Sequence, residues 1–580
     1  MSALPLAVAV PLLGGAVLAA ISSLRLRRTA EAVAVGTAAT SALLCGWIAV
    51  ASQGGWEVYW FGGWRPRGEV VLGIDFAADP IGAGAACLAG VLVTAALVFG
   101  AAYIHDLGQT LFQVLMLTVL AGMVGFALTG DLFDMFVFFE LMSVPAFALV
   151  SYMNEEVGPL LGGVNFAVTN TLAAFLVLIG ITLVYARTGS LNLARIGEAL
   201  AGRGADGLVV VAFALIAAGF LTKAAAVPFH FWLVDAYAVA PAPVTIVFPG
   251  VLSEMGLLGL VRVYWTCFSG PLGAHADGVR AGLVGAGVLT AVFGVVMCLG
   301  EPHFKRLLAF ATVGHIGMFM VGVGLLDREA ITGAALWIAA DGAVKAALFM
   351  LAGLLVRTVH GRAGDRSIWV AVLIGAGGVL LTAPPPSGAF AGKSLIERAA
   401  DGVGYGWAPW FLTIVSALIG MAVIRAAVRI ALAPAEAEED AGATGEPARG
   451  RPLPRATLLL PAGLLAASLL LGVAPGVEDA GTRAGALLAD RPAYAAAVLE
   501  GRTPRAVEMS APAASTRDLV LGAGSAATAV ALAAVLARRR AARRPELVKR
   551  LHTDHVGDQV AWMLVGVAVL TALLAAAAAA

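Results

Sequence analysis

Apolar residues along this chain come in runs of about twenty, the length that carries a helix across ~30 Å of hydrocarbon, and only short polar breaks separate them. The runs predict helices near 4–22, 32–51, 78–101, 112–129, 132–152, 160–186, 208–238 (broken), 242–267, 279–299, 305–326, 329–357, 367–400 (broken), 408–433, 455–474, 518–537 and 558–580. That makes about sixteen spans and an all-α integral membrane protein. Composition agrees, with 60% hydrophobic and 13% charged residues, against about a quarter charged in soluble domains. A formal net charge of zero gives nucleic acid nothing to bind. The four cysteines, Cys45, Cys87, Cys267 and Cys298, lie within apolar runs without metal-ligand or redox spacing. The first run is long for a signal peptide, follows no basic residues and precedes arginines rather than a cleavage site, so it is expected to be helix one.

Basic residues orient the spans, because short cytoplasmic loops are enriched in Lys and Arg. Arg25, Arg27 and Arg28 place the first loop inside. Lys305 and Arg306, then Arg357, Arg362 and Arg366, then Arg449, Arg451 and Arg455, then 538–550 all fall on that same side, with both termini outside in the cell membrane. Arg187, Arg195 and Arg203 dissent, and their spacing suggests a short amphipathic segment at the interface. Residues 434–454 are acidic and rich in Ala, Pro and Gly, as expected of a flexible cytoplasmic linker. Residues 476–517 form a polar outer connection. The chain thus divides into N-terminal helices (1–111), two central units (112–267 and 279–433), the linker (434–454) and C-terminal helices (455–580).

An ionisable residue within a span is costly and is by default a functional candidate. Glu140 lies in the fifth span, Lys223 in the seventh, Glu254 in the eighth and His315 in the tenth. Asp341 and Lys345 stand four apart in the eleventh, on one helical face. Lys393 follows three prolines in the twelfth. Blander readings stand beside these: Glu140 with Lys223 as a structural ion pair, Asp341 with Lys345 as a local one, His315 as a core histidine, Lys305 and Arg306 as interface anchors. Glu254 has no evident partner, since Arg262 is two turns away.

Pro228, and again Pro384, Pro385 and Pro386, interrupt the helical ladder, and open backbone at this depth is tolerated only where protein or a wet cavity surrounds it. The two broken spans lie five apart, an odd number, so repeats containing them are inverted, as in secondary transporters. Two inverted five-helix units are the expected core.

The stretches "GDLFDMFVFFELMSVPAFALVSY", "FLTKAAAVPFHFWLVDAYAVAPAPV", "KRLLAFATVGHIGMF" and "PPPSGAFAGKSLI" closely resemble the antiporter-like subunits shared by respiratory complex I and Mrp-type multisubunit cation/proton antiporters. The resemblance covers about residues 70–435. It implies a transporter subunit rather than an enzyme, working with other membrane subunits on protons and a monovalent cation. By motif, it maps the family's path glutamate onto Glu140 and its path lysines onto Lys223, Lys345 and Lys393, with His315 as the span-ten histidine. Lysine rather than glutamate in span twelve is similar to the D-type member of Mrp antiporters and to the largest antiporter-like subunit of complex I. Glu254 where a lysine is usual and Asp341 where a histidine is common depart from the family pattern. Burial weakens a lysine's hold on its proton and a neighbouring carboxylate restores it, so Glu140 is expected to gate Lys223. His315 and Lys345 would bridge to Lys393, and His230 and Asp235 become intake-side candidates. The alternatives are a proton-conducting membrane arm of a redox, hydrogenase-like or inorganic-carbon uptake complex, and a passive scaffold. No nucleotide loop, cysteine cluster or haem motif suggests a cofactor.

Overall fold

The structure is a computed structural model that describes residues 3–579 except 25, 105–108, 154–156, 203, 205, 359–363, 433–454, 503–513 and 537–554. The expected linker at 434–454 therefore lies outside the described residues. Among those described, thirteen helices are long and apolar enough to cross a membrane. A bent pair at 459–473 and 477–488 and two shorter apolar helices, Gly207–Lys223 and Ile368–Leu380, make up the rest of the expected spans.

The helices are α1 (Ala3–Ile21), α2 (Arg27–Ala51), α3 (Pro80–Tyr103), α4 (Gln109–Leu128), α5 (Leu132–Val150), α6 (Val157–Thr188), α7 (Leu193–Ala201), α8 (Gly207–Lys223), α9 (Phe231–Val239), α10 (Glu254–Val263), α11 (Ala276–Leu299), α12 (Phe304–Gly324), α13 (Arg328–Thr358), α14 (Gly364–Leu380), α15 (Gly388–Gly402), α16 (Ala408–Leu432), α17 (Leu459–Val473), α18 (Val477–Leu488), α19 (Arg491–Leu499), α20 (Thr516–Leu536) and α21 (Val556–Ala579). The amphipathic segment expected in the sixth connection is α7. The polar outer connection at 476–517 contains α18 and α19.

A short antiparallel pair, β1 (Glu57–Trp60) with β2 (Asp75–Ala78), marks one end of the bundle, called here the sheet end. Helices starting there are capped by side chains, because the first N–H groups of a helix have no partner of their own. Asp79 accepts from Ile81 and Gly82, Asp131 from Phe133 and Asp134, Asn192 from Arg195 and Asp206 from Val209. Bridges from Phe76 to Thr129 and from Asp131 to Asn192 sew three connections together. Arg262, buried at the far end of α10, pairs with Asp79 and donates to the Ala127 carbonyl at 2.7 Å. That occupation answers the question the sequence left at Arg262, which serves the sheet end rather than Glu254.

Asp75 sits inside this seam with no solvent exposure. Its Oδ1 accepts from Asn192 Nδ2 at 2.8 Å while Oδ2 has no hydrogen-bond partner. Burial, and then the nearby Asp131 charge, push its carboxyl from 3.8 up to about 8. A carboxyl whose proton is held more tightly in the folded chain loses stabilisation as pH rises between those two values, by about 1.4 kcal/mol per unit. Asp75→Asn is therefore expected to match the parent's melting temperature near pH 3, where the carboxyl is protonated folded and unfolded alike, and to exceed it near pH 9. Equal melting at pH 9, measured in detergent, would show that Asp75 ionises there at no cost.

Candidate proton path

The two interrupted spans share one backbone plan. The first stops at Lys223, turns through Ala225 (φ 56°) and resumes at Phe231; the second stops at Leu380, turns through Ala383 (φ 54°) and resumes at Gly388. A proline stands three residues past each alanine, Pro228 and Pro386. Ten residues past the first alanine comes Asp235, and ten past the second comes Lys393.

Backbone groups freed at the breaks are met from elsewhere, as an apolar surrounding requires. Trp232 Nε1 donates to the Thr222 carbonyl at 2.8 Å, and Val227 N donates to Thr290 Oγ1 at 3.0 Å. At the second break Ser525 Oγ donates to the Thr382 carbonyl at 3.3 Å, and Ser387 caps α15 through Phe390 N.

Lys223 is fully buried. Its Nζ donates to Ser143 Oγ at 2.8 Å and lies 5.1 Å from the Phe139 ring and 5.7 Å from the Phe166 ring. The structural ion pair that was the blander reading of Glu140 and Lys223 is not closed: no described carboxylate lies within 4.0 Å of Lys223, and Glu140 Oε1 is buried without a hydrogen bond. Ser143, less than one turn beyond Glu140 on α5, occupies the ammonium instead. His230, within the break, packs at a tilt against Phe231 and Phe293 with centroids 4.2 Å from each.

Between the breaks four candidates form one connected set. Glu254 Oε1 lies 3.5 Å from Lys345 Nζ, Lys345 Nζ lies 2.6 Å from Asp341 Oδ2, and Asp341 Oδ1 lies 2.5 Å from His315 Nδ1. Ser253 Oγ donates to the other Glu254 oxygen at 2.7 Å. Lys345 thus supplies the partner for Glu254 that sequence spacing left open. The set thus joins two carboxyl groups, one lysine and one imidazole from three different helices. His315 Nε2, buried and without a hydrogen-bond partner, is the open end of the chain.

Close backbone approach holds this centre against both sides. A Cβ on Gly342, the residue after Asp341, would fall 2.4 Å from the Gly250 carbonyl, so α13 and the turn leading into α10 touch main chain to main chain. A Cβ on Gly256 would fall 2.6 Å from the Ala224 nitrogen, which ties Glu254 to the end of α8. A cavity of about 380 Å³ between α2, α3, α10, α13 and α18 has Glu254 on an otherwise mostly apolar wall.

On the far side Lys393 Nζ donates to Thr413 Oγ1 at 3.0 Å and lies 3.7 Å from Glu397 Oε1. Glu397 escaped the sequence reading, although its i,i+4 spacing from Lys393 was a visible signal. Lys305 is corrected in a different way. It is buried rather than an interface anchor, and its Nζ donates to the Ala240 carbonyl at the end of α9 at 2.7 Å. Among the described residues no group of three or more His, Cys, Asp or Glu is arranged to hold a metal ion.

Known proteins resemble this chain over much of its length. The chain is 32% identical over 300 residues to the N-type subunit of NADH-quinone oxidoreductase from Desulforudis audaxviator, over 51% of this chain and 58% of that one. It is 33% identical over 307 residues to the D-type subunit of a probable K(+)/H(+) antiporter from Rhizobium meliloti, over 52% and 55% respectively. These matches therefore span little more than half the length of either relative. Against the D-type subunit of the Na(+)/H(+) antiporter from Alkalihalophilus pseudofirmus the identity is 30% over 363 residues, 60% of this chain and 70% of the relative. A chain in the structure of the Mrp complex from Dietzia sp. superposes with a TM-score of 0.72 at 28% identity, covering 86% of this chain and 99% of that one. The transmembrane family described as NADH:quinone oxidoreductase/Mrp antiporter matches residues 129–419. Broken helices, a buried charge set and this match lead to one conclusion: the chain belongs to the NADH:quinone oxidoreductase/Mrp antiporter membrane family.

Proposed function

We propose that this chain is the proton-translocating subunit of a multisubunit cation/proton antiporter in the cell membrane. The observation that carries the reading is the buried set Glu254–Lys345–Asp341–His315, which lies between two interrupted helices that each bear a lysine. A scaffold needs no such set, because an apolar pairing of equal volume is as stable as a buried ion pair or more so. Protons would enter from the end opposite the sheet, pass Asp235 to Lys223, cross the central set and leave by Lys393 and Glu397. Glu140, with Oε1 unbonded as found, would set the charge that Lys223 senses. The charge pattern of the loops supports placing the sheet end outside.

A second reading is favoured by the identity with the NADH-quinone oxidoreductase relative: the same path within a membrane arm driven by a redox partner. Purification of the intact complex separates the two. The antiporter reading expects small membrane subunits to co-purify and an imposed Na⁺ or K⁺ gradient to generate a pH gradient in vesicles. Co-purifying iron–sulfur proteins with no cation-driven pH gradient would replace it with the second reading.

A further inference from the structure

The two last helices lie largely on the outside of the bundle, yet each touches one interrupted helix at its break. A Cβ on Gly566 of α21 would fall 2.6 Å from Pro228 Cγ and 2.7 Å from Phe229 Cε1. A Cβ on Gly522 of α20 would fall 2.8 Å from Phe390 Cδ2 and 3.0 Å from Pro385 Cδ. Glycine at both contacts lets the backbone of the terminal helix come down onto the break itself.

Each terminal helix also carries a polar residue to the charged group beyond that break, and at opposite ends of the bundle. Gln559, 1% exposed in the first turn of α21, donates from Nε2 to Asp235 Oδ2 at 3.1 Å. Asn165 Nδ2 of α6 donates to that same oxygen at 3.2 Å, and Thr169 Oγ1 donates to Gln559 Oε1 at 3.4 Å. Asp235 holds the position in the first break that Lys393 holds in the second. At the sheet end Asp518, 5% exposed at the start of α20, lies 3.5 Å from Arg398 Nη1, and its neighbour Arg517 lies 2.6 Å from Asp401. Arg398 directly follows Glu397, the partner of Lys393, so the bridge to Asp518 anchors α20 beside that carboxyl.

We propose that α20 and α21 are the mouths of the path: Gln559 positions Asp235 at the end opposite the sheet, and Asp518 with Arg398 positions Glu397 at the sheet end. The proposal rests on the proton-path reading above. A buried amide in a lipid-facing helix needs such a reason, since polar groups there are expensive unless they serve a site. The charged and histidine residues on the elements packed against α9 are Lys305, Arg306 and His315 of α12, Asp134 and Glu140 of α5, Arg187 of α6 and Asp558 of α21; at Asp235 itself α6 presents Asn165. Around Asp518 they are Lys393, Glu397, Arg398 and Asp401 of α15, and Arg517.

The test uses the whole complex in sealed vesicles, with proton flux followed while the pH on one side is varied and the other is held. Gln559→Met is expected to move the midpoint of the profile on Asp235's side by about half a pH unit or more, the size of effect that one hydrogen bond to a carboxylate exerts. The opposite profile should stay in place. Asp518→Asn is expected to do the reverse. If Gln559→Met does not accumulate, Gln559→Glu keeps the shape and adds a carboxylate beside Asp235, and must also move only that side's profile. Active variants whose two profiles are both unmoved, or both moved equally, overturn the mouth assignment alone. A parent complex that conducts no protons overturns the path reading and this proposal together.

Discussion

Lys223→Ala is expected to cut proton flux by a factor on the order of 100 or more, the contribution of one positioned proton donor, while the folded chain persists. Stability should survive because no described carboxylate lies within ion-pair distance of Lys223 to be stranded; its loss removes the bond to Ser143 and the contacts with Phe139 and Phe166. Together these are worth roughly 2–3 kcal/mol. Lys223→Arg sharpens the test. Arginine keeps the positive charge but cannot give up its proton, so a structural or purely electrostatic role would be retained and a relay lost. Vesicles carrying Lys223→Arg should acidify no faster than those carrying Lys223→Ala. Flux at the parent rate in the arginine variant would remove Lys223 from the path.

The second large effect belongs to the central set. Lys345→Met leaves Glu254 and Asp341 buried with their shared cation gone, and breaking a buried pair from one side costs about 3–5 kcal/mol. The expected result is a chain with sharply reduced accumulation and melting temperature, and no flux. Adding Asp341→Asn removes one of the two stranded carboxylates, so the double variant should recover much of the stability while flux stays absent. That split separates holding the bundle together from moving protons. If stability and flux returned together, the set would be a packing device and the path would have to run elsewhere.

Much of this arrangement was legible in the residues. Lysine and proline within apolar runs marked both breaks, because hydrocarbon tolerates neither without a reason, and Asp341 with Lys345 was readable from helical spacing. What stayed hidden was pairing between distant helices. Periodicity orders residues along one helix and says nothing about which neighbour reaches across, so Ser143 at Lys223, Lys345 at Glu254 and Arg262 at Asp79 came only with the fold. Lys305 misled for the same reason: a basic residue at a helix start looks like an interface anchor until the Ala240 carbonyl is found in front of it. The helices at 477–488 and 491–499 were hidden by polarity, since a helix lying on the bundle's end has no long apolar run to announce it.

The matched turns at Ala225 and Ala383 carry one more consequence. Asp235 and Lys393 occupy equivalent places with opposite charge, so the backbone repeats while the chemistry does not. Taken from either face, however, the proposed route meets the same succession: a carboxylate, a lysine, then the centre. The route is a palindrome in function, written with different letters. Nothing in its order favours one direction, and the sense of flow must be imposed from outside the path, by an ion gradient or by the subunit that presses against it.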